Sequence, residues 1–181
     1  MAEEQQLVNK VAKSGLITLD LVNYSPSADI VDFDLKDYLV QGVALMEKPF
    51  RESMKELDWS QFEGKHIALH CSADAIIPMW AFMLVTSYLQ PYTDSIHYGD
   101  VDSTREKLFT DTIRQQIDPS EYEGSKIVVK GCGDKTIPPT AYIEVTKLLQ
   151  PVVKVLMYGE PCSTVPVYKK SSPTRKRTTN A

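Results

Sequence analysis

One stretch of this chain is written twice. Asp58–Asp100 reads DWSQFEGKHIALHCSADAIIPMWAFMLVTSYLQPYTDSIHYGD, and Asp118–Glu160 reads DPSEYEGSKIVVKGCGDKTIPPTAYIEVTKLLQPVVKVLMYGE. The two align at an offset of 60 residues without a gap, and 16 of 43 positions are identical. A period of that length points to an internal duplication of one supersecondary unit.

Within each copy, short apolar runs alternate with longer helical patterns. Ile67–His70, Ile96–Gly99, Ile127–Lys130 and Val155–Gly159 read as strands. Pro78–Leu89 and Pro138–Leu149 read as helices, each with Pro in the first turn, where its missing N–H costs nothing. Gln90-Pro91 and Gln150-Pro151 stop them. Between the copies, Ser103–Ile117 reads as a helix whose Ser103 and Glu106 fit a capping box. Ahead of the first copy, Leu16–Val22 and Val43–Met46 read as strands, and Ile30–Phe33 as a short one. Asp34 is placed to cap a short helix through Leu39, and Glu47–Leu57 carries Phe50, Met54 and Leu57 on one helical face. Residues 1–14 hold a weakly amphipathic segment, and Pro161 and Pro166 suggest an irregular exit from the second copy.

Strands alternating with helices predict an α/β fold. The expected architecture is three-layer, with a mostly parallel open sheet of five or six strands built from the duplication and an N-terminal β/α extension. One domain is expected over residues 1–166, with the N-terminal strand at an edge. A solvated, disordered basic tail is expected over 167–181.

Charge narrows the function classes. The chain is −4 overall, but Tyr168–Ala181 holds five basic residues and no acid. Removing it leaves 15 basic against 24 acidic residues, a body of −9. An acidic body argues against nucleic-acid binding. No apolar run reaches a membrane span, and MAEEQQLVNK is not a secretory signal. Three cysteines with no CxxC favour a reducing compartment, so a cytoplasmic location is expected.

Ligands of open α/β sheets bind outside the carboxyl ends of the strands. That edge collects all three cysteines, Cys71, Cys132 and Cys162, together with His70. It also collects Asp74 and Asp134, present in both copies, and the acidic pair Asp100 and Glu160. One reading is a metal or cluster site of Cys71, Cys132, Cys162 and His70, since thiolates suit zinc and iron–sulfur species. Asp74, Asp134, Asp100 and Glu160 are then candidates for cofactor binding. A second reading makes Cys71 or Cys132 a nucleophile ahead of a helix N-terminus, acting on a small anionic substrate. His70-Cys71 matches the start of the HC-x5-R loop of cysteine phosphatases, but Ile77 stands at the arginine position and removes that reading. A third reading has the cysteines as core residues of a non-catalytic interaction domain. Asp74 and Asp134 also fit helix capping, and Trp80, Phe82 and Tyr142 fit packing of helix on sheet.

The strings LVNKVAKSGLITLDL, DWSQFEGK, CSADAIIPMWA, GCGDKTIP and GEPCSTVPVYK together resemble a bacterial family catalogued as domain of unknown function 2480. The resemblance runs from about Leu7 to Lys169. It implies no activity and no catalytic residues. It does imply a protein partner, with iron–sulfur assembly machinery as the class, and so favours a metal- or cluster-binding accessory protein. A homodimer stays open.

Overall fold

A computed structural model describes residues 15–131 and 136–171. The predicted N-terminal helical segment, the candidates Cys132 and Asp134, and the tail from residue 172 lie outside the described residues.

The fold is α/β, as expected, but its strands make two sheets and not one. In one sheet the order is β1 (Leu16–Asp20), β5 (Lys126–Lys130), β6 (Val155–Glu160) and β7 (Ser163–Lys169). In the other it is β2 (Ile30–Asp34), β3 (His66–His70) and β4 (Ile96–Tyr98). Every pairing is parallel except β6 with β7. The chain divides accordingly into two compact units, 26–109 and the described residues up to Ser25 with those from Thr110. The four α-helices among the described residues are α1 (Glu47–Glu56), α2 (Met79–Leu89), α3 (Val101–Gln116) and α4 (Pro139–Leu149).

Each copy of the repeat supplies only two parallel strands, too few for a core of its own. The N-terminal region supplies the third strand to each: β2 pairs with β3, and β1 pairs with β5. Both added strands end in the same local device. Asp20 and Asp34 each accept a hydrogen bond from the backbone N–H two residues on, at 3.1 and 3.0 Å, and so start a single 3-10 turn. Asp58 and Asp118 do the same ahead of β3 and β5. The elements of the two copies fall at the 60-residue offset, with β3 matching β5, α2 matching α4 and β4 lying within the span of β6. Both copies carry Tyr-Gly at this point, just past β4 in one and inside β6 in the other, where Gly99 (φ +131°) and Gly159 (φ +120°) take a backbone conformation that L side chains rarely adopt.

The unit of residues 26–109 has an aromatic core. Phe33 stacks on Trp59, and Trp59 stacks on Tyr88 with centroids 5.0 Å apart. Trp59 is buried, and its Nε1–H donates to the Met54 carbonyl at 2.8 Å, which satisfies the indole's one polar group. Phe50 meets Tyr38 and Trp80 edge-on. Burial of several such rings, each worth about 2–3 kcal/mol, is what makes three strands enough.

In the other unit a charge network joins α3 to α4. The Arg114 guanidinium donates twice to the buried Glu144 carboxylate, at 2.7 and 2.9 Å, and Lys147 donates at 3.3 Å. These bonds, from Arg114 first and against the opposing effect of burial, lower the Glu144 pKa. A carboxyl depressed in the folded state stabilises it above the unfolded pKa, and that stability is lost as pH falls through the folded value. Arg114→Ala should therefore lower the melting temperature by several degrees at about pH 7 and by much less at about pH 3. Parallel thermal melts of both proteins across that range check it.

Four local expectations change. Val43–Met46 is not a strand: Gln41 and Gly42 turn at positive φ, and only isolated bridges from Ala44 to Val40 and to Ile76 remain. The exit from the second copy is not irregular but a hairpin. Pro166 is accommodated because β7 is an edge strand with a register shift opposite Leu156/Met157, where a missing N–H is tolerated. Val167–Lys169, assigned to the tail, are the end of that strand. Helix α3 starts at Val101, ahead of the expected capping box, because Asp100 accepts from the Ser103 N–H at 2.9 Å.

Candidate metal centre

Near the carboxyl ends of β2 and β3 the 26–109 unit carries a cluster of two carboxylates and an imidazole. Asp32 and Asp34 are two apart on β2, so they share a face of the strand. Asp34 is in register with His70, the last residue of β3. The result brings one ligand atom each from Asp32, Asp34 and His70 within 4.8 Å of one another. Among the described residues this is the group of three ligand types that converges, and it contains neither Cys71 nor Cys162.

Each member has defined partners. His70 Nε2 and Asp32 Oδ1 are 2.7 Å apart, with Asp32 exposed and the His70 ring mostly covered. Asp34 is buried, at 8% exposure. Its Oδ1 accepts from the N–H groups of Lys36 and Ser72, both at 3.0 Å. Its Oδ2 accepts from the Ser72 hydroxyl at 2.6 Å and from the Lys36 ammonium at 3.0 Å. Burial raises the Asp34 pKa, but the bonds from Ser72 and Lys36 outweigh it and hold the carboxyl well below the usual carboxylate range. The site thus keeps a permanently ionised carboxylate beside an imidazole and a second, solvent-facing carboxylate. That donor set, two oxygens and one nitrogen, suits a borderline or hard divalent cation such as Zn²⁺, Mn²⁺ or Fe²⁺ and leaves positions for water.

The sequence candidates scatter around this cluster. His70 is in it. Asp100 borders it: Ser103 lowers the Asp100 pKa through its hydroxyl and N–H, and the field of His70 adds to the effect. Its carboxylate is engaged as the cap of α3, with Ser103 Oγ at 2.7 Å. Asp74 is exposed and does not cap α2, whose N-cap is Pro78 with no side-chain bond; Pro138 stands likewise before α4. Glu160 lies in the other unit, opposite Ser163 in the β6–β7 pairing.

Cys71 directs its thiol to the Ala73 carbonyl at 3.7 Å and packs against the apolar core. Ser72–Pro78 separate it from α2, so it does not sit on a helix N-terminus. The second copy has Gly131 at this position because the Tyr142 hydroxyl and the Ile137 side chain fill the space a side chain would need. Phe82, the match of Tyr142, has no hydroxyl and leaves room for the thiol. Cys162 is exposed on the β6–β7 turn, in the other unit.

Asp32 was not singled out by the sequence, and Asp34 was read only as a cap. The available signal was IVDFD: two acids at strand spacing, the second on the last position of a strand. A further polar chain lies at the opposite end of β3 and β4. There the Ser95 hydroxyl sits 2.6 Å from His66 Nδ1 and 2.9 Å from His97 Nε2, and burial lowers the His66 pKa.

The fold and this cluster define a two-unit α/β protein with a carboxylate–imidazole site at the carboxyl edge of a three-stranded parallel sheet. The chain belongs to the family described as protein of unknown function (DUF2480), whose model matches residues 5–170. No curated protein and no solved structure matches it. Among the described residues, no helix is long and apolar enough to cross a membrane.

Proposed function

We propose that this protein is a cytoplasmic accessory protein that binds a divalent metal ion at Asp32, Asp34 and His70. The observation that carries the reading is the convergence of three ligand atoms within 4.8 Å at the edge where parallel sheets hold their ligands. It keeps the metal-binding role expected from the sequence but moves the centre from thiolates to carboxylates and imidazole. Iron–sulfur assembly machinery remains the proposed class of protein partner.

Lys36 is the competitor. Its ammonium holds Asp34 Oδ2, but the side chain is half exposed and can swing into water when a cation arrives. Titration calorimetry with Zn²⁺ and Mn²⁺ on the full chain tests the reading. The wild type should take up one ion, and His70→Ala should weaken it at least about 100-fold, beyond the usual loss of an outer partner. Lys36→Met should tighten binding severalfold. Equal affinities in all three proteins would remove the proposal.

A further inference from the structure

The two units carry the same groove, but only one of them is roofed by a strand. In the first, Leu69, Phe82, Met83, Thr86, Ile96 and Tyr98 line a cavity of about 620 Å³ between α2 and β4. In the second, the residues 60 positions on, Val129, Tyr142, Ile143, Thr146, Leu156 and Tyr158, line one of about 610 Å³ between α4 and β6. Each has an edge-on aromatic pair in its lining, Phe82 with Tyr98 at 5.7 Å and Tyr142 with Tyr158 at 5.8 Å.

The difference is β7. After β6 the chain turns at Pro161-Cys162 and returns antiparallel, pairing Tyr158 with Val165 and bringing Val167 into the groove lining. After β4 the chain enters α3 directly, so no strand returns. Among the described residues, β4 pairs only with β3. Its inward groups are known: the Ser95 carbonyl accepts from Ile67, and the Gly99 N–H donates to Leu69. By strand alternation the amide groups of Ile96 and Tyr98 point to the outer edge. Around that edge Met79, Met83 and Tyr98, all lining the groove, are 70%, 72% and 83% exposed. A row of exposed apolar side chains beside an uncovered strand edge is a surface that recruits another chain.

We infer that β4 and α2 form a docking edge for an extended segment of a partner protein. The segment adds antiparallel to β4, in the manner that β7 adds to β6, and places β-branched side chains over the groove. Charge selects its far end. Just past β7 the Lys170 N–H bonds to the Lys154 carbonyl, and the residue matching Lys154 is Asp94. A basic residue that meets a like charge in the covered unit meets an exposed acid in the uncovered one. The same charge disfavours a second copy of this chain, because antiparallel β4–β4 pairing brings Asp94 of each copy towards Asp100 of the other.

The test uses a fluorescein-labelled peptide with this chain's own residues 163–170, STVPVYKK, titrated into the full chain and read by anisotropy. Saturable binding is expected, weakened about tenfold or more by Met83→Glu, since a charge then sits in the apolar groove. Asp94→Lys should weaken it severalfold, and Ile143→Glu, in the covered groove, should leave it unchanged. Met83 and Asp94 are exposed, so unchanged thermal melts will show that these variants fold. No binding at about millimolar peptide, or binding that neither variant alters, overturns the inference. So does sedimentation showing a wild-type dimer that Met83→Glu dissociates, which would make a second copy the occupant.

Discussion

Phe50→Ala is expected to cost about 3–5 kcal/mol of stability, the range for removing a buried aromatic ring. Phe50 is 1% exposed and sits where α1 meets the sheet of the 26–109 unit. Two rings pack on it edge-on, Tyr38 at 5.5 Å and Trp80 at 5.9 Å, and Arg51 lies over the outer face of Trp80. Truncation removes the ring's own burial and both aromatic contacts, and a cavity between two packed rings collapses poorly. A unit with three strands has little stability in reserve, so the variant should be largely unfolded near body temperature. Chemical denaturation followed by Trp59 and Trp80 fluorescence measures it. A loss under about 1 kcal/mol would mean that this core is not what holds the unit.

Asp34→Asn should have the second-largest effect, about 2 kcal/mol, through a different mechanism. The carboxylate accepts four hydrogen bonds and ties the end of β2 to Ser72, just past β3. An amide keeps one acceptor oxygen but turns an NH₂ group on donors that need an acceptor. The change also carries a pH signature. The Asp34 pKa is depressed in the folded state, so its contribution is complete above the unfolded value of about 3.9 and is lost as pH falls below it. Wild type and Asp34→Asn should therefore differ most near about pH 7 and converge as pH drops below about 4. A gap that stays constant with pH would mean that the carboxylate's charge contributes nothing.

Much of the fold was legible because the repeat left little choice. A helix with Pro at its start and Gln-Pro at its end appears twice, as does a short apolar strand, Ile-Ala-Leu in one copy and Ile-Val-Val in the other, and both pairs fold as the sequence predicts. The division into two sheets was not legible. Strand alternation fixes which residues are apolar, but nothing local in LITLD or IVDFD says which distant strand each will join. One clue was present: Asp20-Leu21 and Asp34-Leu35, each followed by Tyr three residues on, mark the same strand-then-turn device in front of different copies. Tertiary pairing then sends β1 to β5 and β2 to β3.

The candidate site was half legible for the same reason. His70 could be placed at a strand's carboxyl end from sequence alone. Asp32 and Asp34 reach it only through the β2–β3 register, which sequence spacing does not supply. Cysteines drew attention because sulfur is chemically conspicuous, yet Cys71 turns into its own loop while the imidazole beside it faces Asp32.

The most direct test of the metal centre is the absorption spectrum of the full chain titrated with Co²⁺, with Cys71→Ser and His70→Ala alongside. Cobalt held by carboxylates and imidazole gives weak visible bands without an intense sulfur-to-metal charge-transfer band. The account predicts that pattern with one ion bound, unchanged in Cys71→Ser and lost in His70→Ala. A strong near-ultraviolet charge-transfer band that disappears in Cys71→Ser would contradict it and return the metal to the cysteines.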